Sequence, residues 1–141
     1  MTRDIKHEVN VISVLVSPER GVLLHQADSG KWGFPGSEDL VPGEDWESTQ
    51  LRGLNRDLGN IEFENVSILH LESYPGGTVG PDAKFGVFVL GKISSAQSES
   101  ESIRWAKGAE EIRDLDLVHV RVADLVEKAL RNGQVSPQII R

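Results

Sequence analysis

The sequence contains no cysteine, which excludes disulfide bonds, thiolate zinc sites and cysteine nucleophiles together. Any metal must therefore be held by oxygen or imidazole ligands. No apolar run approaches the ~20 residues that cross a bilayer, and the opening residues MTRDIKHE lack the apolar segment of a signal peptide. We expect neither membrane insertion nor export, and the lack of cysteine fits a protein of the reducing cytoplasm.

Basic residues are scarce as well. Lys and Arg number 15 against 22 Asp and Glu, which gives a net charge of −7. This sign does not favour general attraction to nucleic acids or anionic membranes, although a small ligand can still bind at a local basic patch. The length of 141 residues and the hydrophobic fraction of 38% fit one folded domain spanning residues 1–141.

Apolar patterning predicts a β-hairpin followed by a helix. The β-branched run Val9–Ser17 and the apolar run Val22–His25 are joined by the turn sequence PERG. The stretch Asp45–Leu58 is helical in pattern, begins with acidic residues and is followed by Gly59, a residue that commonly ends helices. Its expected buried stripe consists of Trp46, Leu51, Leu54 and Leu58.

The rest of the chain predicts three more strands and a second helix. The strands are expected at Val66–Tyr74, Phe85–Ile93 and Leu115–Val120, and the polar stretch Ser94–Ser102 is expected to be an exposed loop. The helix is expected at Val122–Leu130, ended by Asn132-Gly133. The order ββαβββα favours an α+β sandwich with a mixed sheet between helices.

The most informative segment is WGFPGSEDLVPGEDWESTQLRGLNRDLG, residues 32–59, in which a Gly-rich turn leads into a carboxylate-bearing helix. It resembles the signature of the Nudix (MutT-like) hydrolase family. That signature is a Gly, five residues, Glu, seven residues and Arg-Glu-aliphatic-x-Glu-Glu-x-Gly, usually preceded by Trp-x-x-Pro-Gly-Gly. The positions that match it are Trp32, Pro35, Gly36, Gly43, Glu44, Arg52, Leu54 and Gly59.

The resemblance covers nearly the whole chain and implies the Nudix α/β/α sandwich. In that fold a mixed sheet lies between the box helix, here near 45–58, and a C-terminal helix, here near 122–131. The resemblance also implies a possible homodimer, because members of the family often pair.

The departures from the signature fall on the positions that carry out the chemistry in the family. Ser37 occupies the second Gly position, the following loop is one residue longer, and the three helical Glu positions hold Gly53, Arg56 and Asp57. Residues spaced i, i+3 and i+4 share one helix face. In the family this face holds Mg²⁺ or Mn²⁺, cations that prefer oxygen ligands. Arg56 in place of an anion changes the local charge by about two units, which predicts weak or absent metal binding and favours phosphate.

The leading hypothesis is therefore a protein acting on nucleoside-diphosphate-linked compounds with impaired or atypical metal-dependent catalysis. By resemblance, Glu44 and Asp57 would be the catalytic and metal-binding acids, and the Gly36-Ser37 backbone would approach the phosphates. Arg52 would orient a carboxylate by bidentate pairing. The resemblance also implies that acids other than the helical Glu positions could complete a site, and those available are Glu38, Glu44, Glu47, Glu99, Glu101, Glu110 and Glu111.

The alternative is a non-catalytic module that binds a nucleotide-like ligand or a protein partner. Arg52 and Arg56, spaced i, i+4, could then engage a diphosphate without metal, and Tyr74 is a candidate for stacking on a base. A purely structural or dimerising role is also compatible with the acidic surface.

Each of these residues also has an ordinary structural explanation. Arg56 could be exposed and paired with Glu62 or another acid, Asp57 could be a polar residue near a helix end, and Glu44 could order its loop. The histidines have no metal-binding spacing, so none is assigned to metal or acid–base work; they are His7, His25, His70 and His119.

Overall fold

The computed structural model describes residues 7–74, 83–94, 99–119 and 121–134, in which four strands precede the first helix and three more precede the second. The strands are β1 (His7–Ser17), β2 (Gly21–Gln26), β3 (Trp32–Gly33), β4 (Glu38–Asp39), β5 (Phe63–Tyr74), β6 (Ala83–Ile93) and β7 (Ile103–Ala106). The helices are α1 (Trp46–Leu58) and α2 (Arg121–Gln134), and Ala109–Ile112 forms a 3₁₀ turn.

The strands form one mixed sheet in the order β3-β2-β1-β6-β5. The predicted hairpin is present, since β1 pairs antiparallel with β2 through Val16 and Val22. The long β1 and β6 strands run parallel at the centre, and β5 pairs antiparallel with β6. The short strands extend this sheet, β4 pairing with β1 and β7 with β2.

Alternate residues of β1 pack into two separate hydrophobic cores, one on each face of the sheet. Val14 and Val16 pack in one cluster with Leu125 of α2, whereas Leu15 packs in the other with Leu54 of α1. Because side chains of a strand alternate between faces, the two helices lie on opposite sides of the sheet. The predicted α/β/α sandwich is therefore confirmed.

Helix α1 begins and ends as its sequence predicts. Asp45 is the N-cap residue, and its side chain accepts a hydrogen bond from the Ser48 N–H at 2.7 Å. Gly59 is the C-cap residue at a φ of 76°, and its N–H donates to the Asn55 carbonyl at 3.0 Å. Both ends therefore satisfy backbone groups that a helix terminus leaves without partners.

The predicted buried stripe of α1 is wrong in two positions, because Trp46 is 43% exposed and Leu51 is 49% exposed. The helix buries Gln50 instead, whose amide donates to Ser13 Oγ at 3.1 Å and to Asn65 Oδ1 at 2.9 Å. The sheet beneath this turn of the helix is thus polar. A buried polar group needs hydrogen-bond partners, so the residue that packs there is an amide and not a leucine.

The last strand also differs from the prediction. The described part of 115–120 contributes only an isolated bridge between Leu117 and Trp32, and the strand that completes the sheet is β7. Leu115 and Leu117 have the spacing of a strand because both pack against the core below α2. Their periodicity reflects burial against the core, and strand pairing is limited to the single bridge with Trp32.

Helix α2 is longer than predicted. It does not end at Asn132-Gly133 but continues to Gln134, since glycine within a helix costs only about 1 kcal/mol. In the predicted 94–102 loop, residues 95–98 lie outside the described part, and the residues on either side have no regular secondary structure. Within the described ranges, neither helix has the length and apolarity to cross a membrane.

Candidate functional site

The Gly-rich turn before β4 packs directly on helix α1. Gly36 has a φ of +75°, a conformation that side-chain-bearing residues rarely adopt. A Cβ added to Gly36 would lie 2.7 Å from Leu54 Cδ2. The backbone conformation and the close approach to the helix therefore both require glycine at this position.

The helix face formed by positions 53, 56 and 57 holds this turn. A Cβ on Gly53 would lie 2.4 Å from the Gly36 carbonyl oxygen. Asp57 Oδ2 accepts a hydrogen bond from the Gly36 N–H at 2.8 Å, and Arg56 Nη2 donates to the Ser37 carbonyl at 3.0 Å. The three positions converge as their spacing implies, and the group that they contact is the chain's own backbone.

Acidic and basic side chains alternate along this face in a run that we call the charge ladder: Glu44, Arg52, Glu38, Arg56 and Asp57. Arg52 pairs with Glu44 at 2.8 Å and with Glu38 at 3.2 Å. Arg56 pairs with the same Glu38 oxygen at 2.6 Å and with Asp57 at 2.9 Å. Three carboxylates and two guanidinium groups leave only one net negative charge.

Pairing in the charge ladder shifts the ionisation of its acids. The hydrogen bond from Arg52, followed by that from Thr49, lowers the pKa of Glu44 below its usual value. Partial burial raises the pKa of Asp57, but hydrogen bonds from Arg56 and from the Gly36 amide outweigh this effect and the net pKa is lowered. Both groups are therefore carboxylates at neutral pH.

These shifts predict how stability depends on pH. A carboxyl group whose folded pKa is depressed stabilises the protein above its unfolded pKa of about 4, and this contribution is lost as pH falls through the folded pKa. We expect the urea midpoint of unfolding to fall as the pH drops below about 4. Asp57→Asn should weaken this dependence, whereas Glu110→Gln, at an exposed pair with Arg113, should leave it unchanged. An identical acid profile in Asp57→Asn and the parent protein would contradict the assignment.

The donor set of the charge ladder does not fit a divalent cation in this arrangement. Mg²⁺ requires oxygen ligands that can turn toward it, but Glu38, Glu44 and Asp57 each point at a guanidinium group. Among the residues that the structure describes, no three His, Asp or Glu side chains form a group suited to a metal ion. The carboxylates of the charge ladder therefore serve as partners of its arginines.

A cleft of about 570 Å³ opens beside the charge ladder on the α2 side of the sheet, a volume typical of small-molecule sites. We refer to it as the cleft. Its apolar walls are formed by Ile12, Phe34, Phe88, Val118, Val122 and Leu125. Its polar lining residues are His25, Asp28, Ser37, Arg56, Asp57, His119 and Arg121.

The structure separates the predicted site residues into two groups. Ser37, Arg56 and Asp57 line the cleft. In the described part of the chain Arg52 and Glu44 do not line it, because they pair with each other at the outer end of the charge ladder. Gly36 is buried behind the turn. The side chain of Tyr74 lies outside the described part of the structure.

Polar residues that line the cleft but were not predicted as site residues include His25, His119 and Arg121. His25 Nδ1 lies 3.7 Å from Asp57 Oδ2, a proximity between β2 and α1 that no short motif records. The other two precede or begin α2, where no metal-binding or catalytic spacing marks them. Of the outlying acids, Glu38 joins the charge ladder, whereas Glu99 and Glu111 accept hydrogen bonds from the Trp105 and Lys107 backbone N–H groups.

Comparison with known proteins identifies the fold. Neither a protein-family model nor a curated protein sequence matches the chain. Solved structures do match it, among them a Nudix-family hydrolase from Clostridium perfringens with a TM-score of 0.71 and 14% identity, covering 92% of this chain and 100% of that one. An ADP-ribose pyrophosphatase from Streptococcus suis has a TM-score of 0.65 and 15% identity over 93% and 95% of the two chains.

A third similar structure is the Nudix domain of Shewanella oneidensis NrtR complexed with ADP ribose, at a TM-score of 0.64 and 18% identity. It covers 92% of this chain and 90% of that one. Together with the mixed sheet between two helices, these likenesses establish that the chain has the Nudix fold.

Proposed function

We propose that this chain is a Nudix-type protein that binds nucleoside-diphosphate-linked compounds in the cleft and that its metal-dependent hydrolysis is impaired. The observation that carries the proposal is the pairing of Glu38, Glu44 and Asp57 with the two arginines of the charge ladder. A divalent cation would have to compete with guanidinium groups for these carboxylates. Because the guanidinium groups neutralise most of the carboxylate charge, they weaken the attraction of this site for a cation.

The form of the cleft supports the choice of ligand. An apolar wall that includes Phe34 and Phe88 suits the ring system of a nucleoside, and the cationic side chains at its edge suit phosphate. The similar structure from Shewanella was solved with ADP ribose, and the one from Streptococcus suis is an ADP-ribose pyrophosphatase. Those ligands guide the choice of probe for this chain.

Calorimetry with ADP ribose tests the proposal. We expect ADP ribose to bind with the same affinity in EDTA and in 5 mM Mg²⁺, since no metal is needed to hold it. In a parallel assay, we expect no Mg²⁺- or Mn²⁺-dependent turnover of ADP ribose above the rate in EDTA. Both measurements use the whole chain.

Two results would oppose different parts of the proposal. Metal-dependent turnover that disappears in both Asp57→Ala and Glu44→Ala would establish a competent hydrolase and refute impaired catalysis. Failure of ADP ribose and other nucleoside-diphosphate derivatives to bind, with or without Mg²⁺, would refute ligand binding in the cleft. The remaining hypothesis would then be a module that binds a protein partner.

A further inference from the structure

Among the residues that the structure describes, two guanidinium groups line the cleft, those of Arg56 and Arg121, and they differ in the number of N–H donors already in use. An arginine side chain has five N–H donors. Arg56 makes four hydrogen bonds, two to Asp57, one to Glu38 and one to the Ser37 carbonyl. A diphosphate could gain forked hydrogen bonds from Arg56 only by breaking contacts that hold the Gly-rich turn.

Arg121 presents a different arrangement. It is the first residue of α2, its side chain is 52% exposed, and its Nε pairs with Glu72 Oε1. Contact through Nε leaves the outer edge of the guanidinium, with Nη1 and Nη2, to donate elsewhere. This outer edge is the part of an arginine that binds a phosphate in forked geometry.

The residues around Arg121 hold it in place. Glu72 projects from β5 and is only 17% exposed, and its second carboxylate oxygen lies 3.5 Å from His70 Nε2. The Arg121 backbone N–H donates to His119 Nδ1 at 3.1 Å, which fixes the start of the helix beside the cleft. Side chain and backbone are thus both anchored, so less entropy is lost when a ligand binds.

We infer that Arg121 is the principal phosphate-binding residue of the cleft and that Arg56 serves to hold the Gly-rich turn. The inference rests on the proposed function and places the diphosphate at the start of α2, away from the box helix. The positive end of the α2 dipole adds to the attraction there. The nucleoside then packs against the apolar wall formed by Phe88 and Leu125.

The experiment measures binding of ADP and of inorganic pyrophosphate to the whole chain by calorimetry. We expect Arg121→Ala to weaken both ligands by about tenfold or more, the size of a lost charge-assisted contact. Arg121→Gln, which keeps a polar side chain, should weaken them similarly and guards against a folding defect in the alanine variant. Arg131→Ala is the matched control, since it removes the same charge from the last turn of the same helix.

The outcomes separate the inference from the proposed function. Equal weakening by Arg121→Ala and Arg131→Ala, or unchanged affinity in folded Arg121→Ala and Arg121→Gln, would overturn the role of Arg121. If pyrophosphate binds through Arg121 while no nucleoside diphosphate derivative binds more tightly than pyrophosphate, the Arg121 site stands and the proposed nucleotide ligand fails. Thermal midpoints of all variants establish that each is folded.

Discussion

Gly53→Glu is expected to destabilise the protein by about 2 to 3 kcal/mol, the range for forcing atoms into a filled space. The first atom of the new side chain would lie 2.4 Å from the Gly36 carbonyl oxygen. That oxygen belongs to a backbone held by Asp57 and packed on Leu54, so it cannot move aside cheaply. Denaturant unfolding followed by far-ultraviolet circular dichroism measures the loss.

Gly53→Ala separates the steric effect from helix propensity, because alanine in place of glycine normally stabilises a helix by about 1 kcal/mol. Here we expect a loss of about 1 to 3 kcal/mol, since the contact with Gly36 outweighs helix propensity. Asn55→Ala, at an exposed position of the same helix, is the control and should be neutral or slightly stabilising. A more stable Gly53→Ala variant would show that the turn can withdraw from the helix.

The same contact bears on whether the carboxylates of the Nudix signature can be restored. The triple variant Gly53→Glu, Arg56→Glu and Asp57→Glu replaces the two side chains that hold residues 36 and 37 and adds a third where no space exists. We therefore expect no gain of Mg²⁺-dependent turnover, although the fold is that of the Nudix proteins. Substantial turnover would show that the site readily adopts a metal-binding form.

Asp57→Ala is expected to cost about 2 kcal/mol, because it leaves the buried Gly36 N–H without its acceptor. It also removes the carboxylate that receives two hydrogen bonds from Arg56. A residue whose main task is to hold a metal behaves in the opposite way. Without metal, removing one acid from a carboxylate cluster relieves repulsion, and the variant is as stable as the parent or more so.

The conservative change separates the two contributions of Asp57. Asp57→Asn keeps an acceptor oxygen for the Gly36 N–H but loses the charge that pairs with Arg56, so we expect a smaller loss than in Asp57→Ala. Glu110→Ala, at a 79% exposed side chain, is the control and should change stability little. Unchanged or increased stability of Asp57→Ala in EDTA would refute the structural role assigned to this carboxylate.

Local features of the sequence were predicted well because their causes lie within a few residues. Alternating and β-branched residues gave the β1–β2 hairpin, Asp45 and Gly59 bounded α1, and the i, i+3, i+4 spacing brought Gly53 and Asp57 to one face. The order of the predicted elements favoured a sandwich with a mixed sheet between helices, the resemblance of the 32–59 segment specified the Nudix form, and the solved structures bear out this fold.

Other features were decided only when distant segments met. Gln50 is buried in place of Leu51 because Ser13 and Asn65, far away in the sequence, supply its hydrogen-bond partners. The strand at 103–106 depends on pairing with β2, and the sequence of this short segment does not predict that pairing. No spacing rule links residues that are far apart in the sequence, so these contacts could not be predicted from one sequence.

The sequence by itself determined that positions 53, 56 and 57 carry one carboxylate among them and that they face one way. The tertiary structure decided what they face, since the Gly36 turn packs against Gly53 and Asp57 and since Glu38 pairs with both arginines. It also brought Arg121 of α2 to the same cleft as Arg56. Helical periodicity fixes the direction in which each side chain leaves the helix axis. Which residues of other segments it contacts depends on how whole helices and strands pack.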